Sequence, residues 1–140
     1  MRAKVKWVDG QQFIGINERN QTVVMDSLPE AGGEGIGMKP TELFLIALAG
    51  CTAIDIVSIM KKKRQAVTDF SVEVEGIQRE EHPKAFEDIK LIYKVKGENV
   101  DEVALQRAIQ LSEEKYCSVR ATLLGMPIVP NITHSYEIET

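Results

Sequence analysis

The sequence predicts an α+β domain in which antiparallel sheets pack around one long, buried helix. Three observations carry this. Short alternating runs separated by turn residues fill the first part of the chain, up to Met25. Leu43 to Ile54 then contains no charged residue on any helical face. Two longer alternating runs follow, and after them residues at helical spacing.

The opening runs hold Val5, Trp7, Phe13, Ile14, Ile16, Val23, Val24 and Met25, with Asp9-Gly10 and Arg19-Asn20 between them. Asp-Gly between strand-like runs is a hairpin signal, so three short antiparallel strands are expected. Leu28 to Gly37 is rich in Pro and Gly and reads as a loop, expected to form an entrance over the thiols rather than a plain linker.

Pro40 to about Arg64 reads as a long helix. Pro40 suits the first turn, Glu42 suits the positive end of the helix dipole, and Lys61 to Arg64 suit the negative end. A helix apolar all round is expected to be buried. A membrane span is rejected on length, because about 20 apolar residues are needed and Asp55 interrupts the run. So small a chain is not expected to cover such a helix alone, which predicts a homodimer on burial grounds.

Phe70, Val72 and Val74 alternate with polar residues, as do Ile89, Leu91, Tyr93 and Val95. Two strands joined by a turn near Glu81 to Lys84 are expected, each with one face inward. Helical spacing predicts a second helix over about Asp101 to Lys115. A third, short helix is expected from near Cys117 through Leu124, ended by Gly125. Ile128, Ile132, Tyr136 and Ile138 predict a last strand.

The 140 residues fit a single domain, 1–140, able to bury about two thirds of its unfolded surface without a metal or disulfide. A net charge of −4 argues against a nucleic-acid partner. The chain shows no signal-peptide pattern, and two widely separated cysteines do not form a secreted disulfide framework. A cytoplasmic setting is expected, where a disulfide would be transient and catalytic. His82 and His134 are too far apart in sequence to suggest a zinc site, and no cofactor or metal is called for. The glycine loop lacks the ending of a phosphate loop.

The cysteines carry the remaining chemistry. Cys51 lies mid-helix, gains little from the dipole, and has Asp55 four residues on, which would raise a thiol pKa. On its own it could be an inert core cysteine. Cys117 is expected to open a helix, where backbone N–H groups stabilise a thiolate, with Arg120 nearby. By electrostatics Cys117 is the more acidic thiol.

Lys39 to Thr52, ending Ala49-Gly50-Cys51-Thr52, resembles the Pro-Glu-Leu to Ala-Cys helix of the OsmC/Ohr family. Glu114-Lys115-Tyr116-Cys117-Ser118-Val119 is similar to the family's second cysteine motif, and the order of elements also matches. The resemblance covers nearly the whole chain. It implies an intertwined homodimer with active sites at the subunit interface and reduction of organic hydroperoxides. By resemblance, Cys51 is the peroxide-attacking thiol, Cys117 the resolving thiol, and a lipoyl-type dithiol the reductant. Family peroxidases also place a glutamate directly after the helix proline and an arginine in the first hairpin. Here Thr41 follows Pro40 and Glu42 comes one residue later, while Val8 to Gln12 holds no arginine. Arg19 reads as a turn residue. Glu42 is the nearest candidate for the catalytic glutamate, although nine residues place it about 13 Å along the helix from Cys51. These departures put the chain nearer the family's poorly characterised branch.

Three functions compete at this point. One is a thiol peroxidase using Cys51, Cys117 and Glu42. Another is a non-catalytic dimer that binds an apolar ligand or protein partner. The last is a thiol enzyme acting on a different electrophile.

Overall fold

A computed structural model describes residues 1–125 and Thr133. The predicted last strand, Ile128 to Ile138, and His134 lie outside the described residues. The observed class is α+β, with antiparallel sheets and a long helix. The chain divides into two compact units, one of 1–47 with 74–90 and one of 48–73 with 91–140.

The first unit contains a three-stranded sheet in the order β1-β2-β3. Its strands are β1 (Ala3–Asp9), β2 (Gln12–Asn17) and β3 (Thr22–Met25). Trp7 stands opposite Phe13 and Phe13 opposite Met25, so the register sets large apolar side chains side by side. Gly10 supplies the positive φ that the Asp9-Gly10 turn requires. Every residue of β1 is nonetheless exposed, and no apolar residue of this unit is fully buried.

The glycine loop is held from within. Asp26 is 2% exposed and accepts backbone N–H groups from Ser27 at 2.7 Å, Glu34 at 3.1 Å and Ile36 at 3.2 Å. Burial works against its charge, but the N–H groups of Ser27, Ile36, Glu34 and Gly35 outweigh it and hold the carboxyl below its ordinary range. The loop therefore closes on one carboxylate.

The long helix, α1, spans Pro40–Lys62, with Glu42 in its first turn and Lys61 and Lys62 in its last. Arg64 follows with positive φ and stops it. Burial on every face is not what is observed. Leu48, Ala49, Thr52, Ile56 and Met60 are buried, whereas Ile54 is 74% exposed and Val57 is also exposed. Length does not exclude a membrane span either, since α1 is long and apolar enough to cross one. The case against a span is the packing of its buried face within the second unit.

That unit holds the core. Ile56 and Met60 meet Ala104 and Ala108 of α2 (Glu102–Leu111), with Val67, Phe70, Tyr93 and Ile109 packed around them. Alanines on α2 let the two helices approach closely. Asp101 caps α2 by accepting the Val103 N–H. Strands β4 (Ala66–Gln78) and β5 (Phe86–Glu98) pair as a second sheet, and their alternation places Phe70, Val72, Tyr93 and Val95 on partly covered positions. After α2 the chain makes a π turn over Ser112–Tyr116 and then α3 (Ser118–Leu123), capped by Cys117.

Candidate functional site

Both cysteines belong to the second unit, and both are free thiols. Cys51 is carried mid-way along α1 and is half-buried; Cys117 is 3% exposed. The Cys51 thiol lies near enough to Cys117 to push its pKa upward. The fold thus brings two thiols 66 positions apart, at 51 and 117, into each other's influence.

The π turn sets this meeting. The Cys117 N–H donates to the Ser112 carbonyl at 2.8 Å, a bond reaching five residues back instead of four. The extra residue rotates Cys117 out of helical phase before α3 begins. Single π turns of this kind are rare and frequently mark functional sites.

Electrostatics at Cys117 run opposite to the sequence expectation. It does cap α3, and the Arg120 N–H donates to Sγ at 3.4 Å. Burial nonetheless pushes the thiol above its ordinary range; the Arg120 N–H opposes this, while the Cys51 thiol and the Asp55 carboxylate reinforce it. Cys117 is therefore a protonated thiol at neutral pH. One backbone donor does not offset the loss of water around the sulfur.

A chain of polar side chains runs beside the two sulfurs. The Ser112 hydroxyl donates to Asp55 Oδ2 at 2.9 Å. That bond uses the only proton Ser112 has, so Thr52 donates to Ser112 across their 2.9 Å contact. Tyr93 OH lies 3.3 Å from Thr52 Oγ1 and donates toward Glu113 at 3.4 Å. Burial raises the Tyr93 pKa; the Thr52 bond lowers it and the Glu113 carboxylate raises it, with the balance upward. Thr52 and Ser112 are almost completely buried, yet every buried side-chain polar atom among the described residues has a partner.

Glu42 is held in the first unit. It accepts the Lys39 N–H at 3.4 Å and pairs with Lys39 Nζ at 4.0 Å, as a first-turn residue does. Arg19 bonds Gln21 within its own turn. Among the described residues no group of three or more His, Cys, Asp or Glu is placed to hold a metal.

The model of the OsmC-like protein family matches residues 32–132. The chain belongs to the OsmC-like family. Protein YhfA of Escherichia coli K12 is 43% identical over 138 residues, covering 99% of this chain and 98% of that protein. A hypothetical protein from Aquifex aeolicus is 34% identical, with a TM-score of 0.77 over 88% of this chain and 86% of that one. An organic hydroperoxide resistance protein, OsmC, from Legionella pneumophila shares the fold at a TM-score of 0.66. It is 18% identical over 89% of this chain and 90% of that one. This OsmC-like chain is thus closer in sequence to YhfA than to that hydroperoxide resistance protein.

Sequence reasoning missed the hydrogen-bonded chain of Ser112, Thr52 and Tyr93. Tyr93 was legible only as an inward-facing strand residue. Thr52 adjoins Cys51 on a helix otherwise apolar at that level, and a polar residue there needs a partner. The π turn that brings Ser112 to meet it has no periodic signal.

Proposed function

We propose that the protein is a cysteine-based thiol peroxidase acting on organic hydroperoxides, with Cys51 as the attacking thiol and Cys117 as the resolving thiol. The observation that carries this reading is the pairing of a half-buried thiol with a buried, protonated one. The Cys51 thiolate attacks the peroxide oxygen, the O–O bond breaks, and the alcohol leaves with a proton. Cys51 is then a sulfenic acid. The Cys117 sulfur attacks it, the S–S bond forms and water departs. A dithiol of the lipoyl type returns both sulfurs to thiols by exchange.

The same reading holds the protein to be a cytoplasmic homodimer. The apolar residues of the first unit have no core of their own, and Val5, Trp7, Ile36 and Ile46 are exposed there. A second copy would cover them and could bring Glu42 toward a partner's thiol. Exposed apolar patches of this kind mark interaction surfaces.

The second reading is an OsmC-like dimer that binds an apolar ligand or protein partner without turnover. It is favoured by Thr41 after Pro40 and by the absence of arginine from Val8 to Gln12. Mass spectrometry after cumene hydroperoxide treatment separates the two. A Cys51–Cys117 disulfide that forms at sub-stoichiometric enzyme and is recycled by dihydrolipoamide supports the peroxidase. Slow over-oxidation of Cys51, or no change, rejects it.

A further inference from the structure

Disulfide formation at Cys117 removes a proton from a residue that is 3% exposed, where bulk water is not at hand to carry it. One residue, Ser112, joins Cys117 to a carboxylate. Its carbonyl oxygen accepts the Cys117 N–H at 2.8 Å and its hydroxyl donates to Asp55 Oδ2 at 2.9 Å. Asp55 also stands one helical turn beyond Cys51 on α1, at the spacing that shares a face.

Asp55 has a second side. It lines an open cleft of about 360 Å³ with Ile59, Lys62, Leu111 and Tyr116. The carboxylate therefore bonds Ser112, whose main chain holds Cys117, and also faces the cleft. Among the described residues, Glu113 in the π turn and Arg120 on α3 bear on Tyr93 of β5, and Lys62 and Lys63 line the cleft. Tyr93 and Glu113 bond each other at the far end of the polar chain.

We propose that Asp55 is the proton acceptor of the dithiol, taking the Cys117 proton as that sulfur attacks Cys51 and releasing it to the leaving group or into the cleft. Ser112 is the positioning residue that aims it. The inference rests on the reading of Cys51 and Cys117 as a transient disulfide pair, but not on peroxide as the oxidant. In the peroxide cycle the S–S bond forms, the S–O bond of the sulfenic acid breaks, and the Cys117 proton leaves with hydroxide as water. Asp55 ends the step unprotonated.

The test uses 4,4′-dithiodipyridine on the reduced full-length protein, followed by absorbance of the released thiopyridone. Attack by Cys51 breaks the reagent's S–S bond and gives one thiopyridone with a mixed disulfide. Attack by Cys117 on that mixed disulfide gives the second, which leaves with a proton. Asp55→Asn keeps an oxygen for the Ser112 hydroxyl but removes the base. The expected result is a second phase slowed about 10²-fold, with the first phase changed little and Asp55→Glu restoring part of the rate. The slowed phase should also rise about tenfold per pH unit, because Cys117 must then ionise before it attacks.

A negative charge that did nothing but repel the thiolate predicts the opposite sign, since its removal would ease ionisation of Cys117. A second phase in Asp55→Asn as fast as wild type, or faster, overturns the proposal. Should Asp55→Asn fail to fold, the wild-type profile decides: a second phase nearly flat from pH 6 to 9 supports a built-in base, and one climbing tenfold per unit throughout overturns it. Absence of any second phase in wild type overturns the thiol pairing as well. A normal second phase without peroxide turnover would sink only the choice of oxidant.

Discussion

Ser112 grips Cys117 through its backbone and Asp55 through its hydroxyl, at 2.8 Å and 2.9 Å. It has no exposed surface and sits where α2 gives way to the π turn. The main chain that holds the second thiol and the side chain that holds the carboxylate therefore belong to one residue.

Ser112→Ala should leave the backbone bond to Cys117 intact and remove a donor and an acceptor from the buried chain. Asp55 and Thr52 would each lose a partner. Leaving buried polar groups unpaired costs about 1–3 kcal/mol, more where a charge is involved. Urea unfolding should show a loss in that range with an unchanged slope. A variant as stable as wild type would mean that water or a local shift replaces the hydroxyl.

The two thiols should differ in alkylation. Cys51 is half-buried and Cys117 is almost inaccessible with its pKa raised by burial. At pH 8 iodoacetamide should label Cys51 first, and Cys117 should react only as pH climbs beyond the ordinary thiol range of about 8.5. The linkage has a definite sign. A folded-state pKa above the unfolded one favours folding at lower pH, and this contribution is lost as pH rises through the folded value. Peptide mapping of the alkylated protein reads the order, and prior labelling of Cys117 would contradict it.

Much of this was legible in the sequence because periodicity reports burial. The turns at Asp9-Gly10 and Arg19-Asn20, the helix from Pro40, the alternation around Phe70 and Tyr93 and the helix after Asp101 all appear as expected. What periodicity cannot show is which face of an all-apolar helix is covered. Ile54 and Ile56 look alike in sequence, yet one is 74% exposed and the other 0%. The acidity of Cys117 was misread for a related reason. A helix cap is visible in sequence, whereas the burial that outweighs it arises from residues distant in the chain.

Acid should open the glycine loop. Asp26 has its carboxyl held below the ordinary range by backbone N–H groups that outweigh its burial. A depressed folded-state pKa stabilises the fold above the unfolded carboxyl range of about 3.9, and the contribution disappears as pH falls through the folded value. Asp26→Ala should produce the same opening at neutral pH, because the N–H groups of Ser27, Glu34 and Ile36 lose their acceptor. Limited proteolysis should then cut between Ser27 and Gly37 in the variant and not in wild type. Equal resistance of the two would show that the loop is held by something other than this carboxylate.

The direction of the polar chain gives the sharpest contrast. Ser112 donates to Asp55, so Thr52 donates to Ser112, and Tyr93 is left to donate outward to Glu113 or to Thr52. Tyr93→Phe removes only the terminal hydroxyl, at long contacts of 3.3 Å and 3.4 Å, and should cost about 0.5–1.5 kcal/mol. Thr52→Val keeps the shape of the side chain but withdraws a donor from a fully buried oxygen, and should cost more. Because Thr52 and Ser112 share one bond, Thr52→Val combined with Ser112→Ala should cost less than the sum of the two single changes, by about 0.5–3 kcal/mol. Tyr93→Phe with Ser112→Ala should be closer to additive, since no bond joins that pair directly. Additive energies for Thr52 and Ser112 in chemical unfolding would mean that the two hydroxyls are independent, and that the polar chain from Tyr93 to Asp55 is broken at its centre.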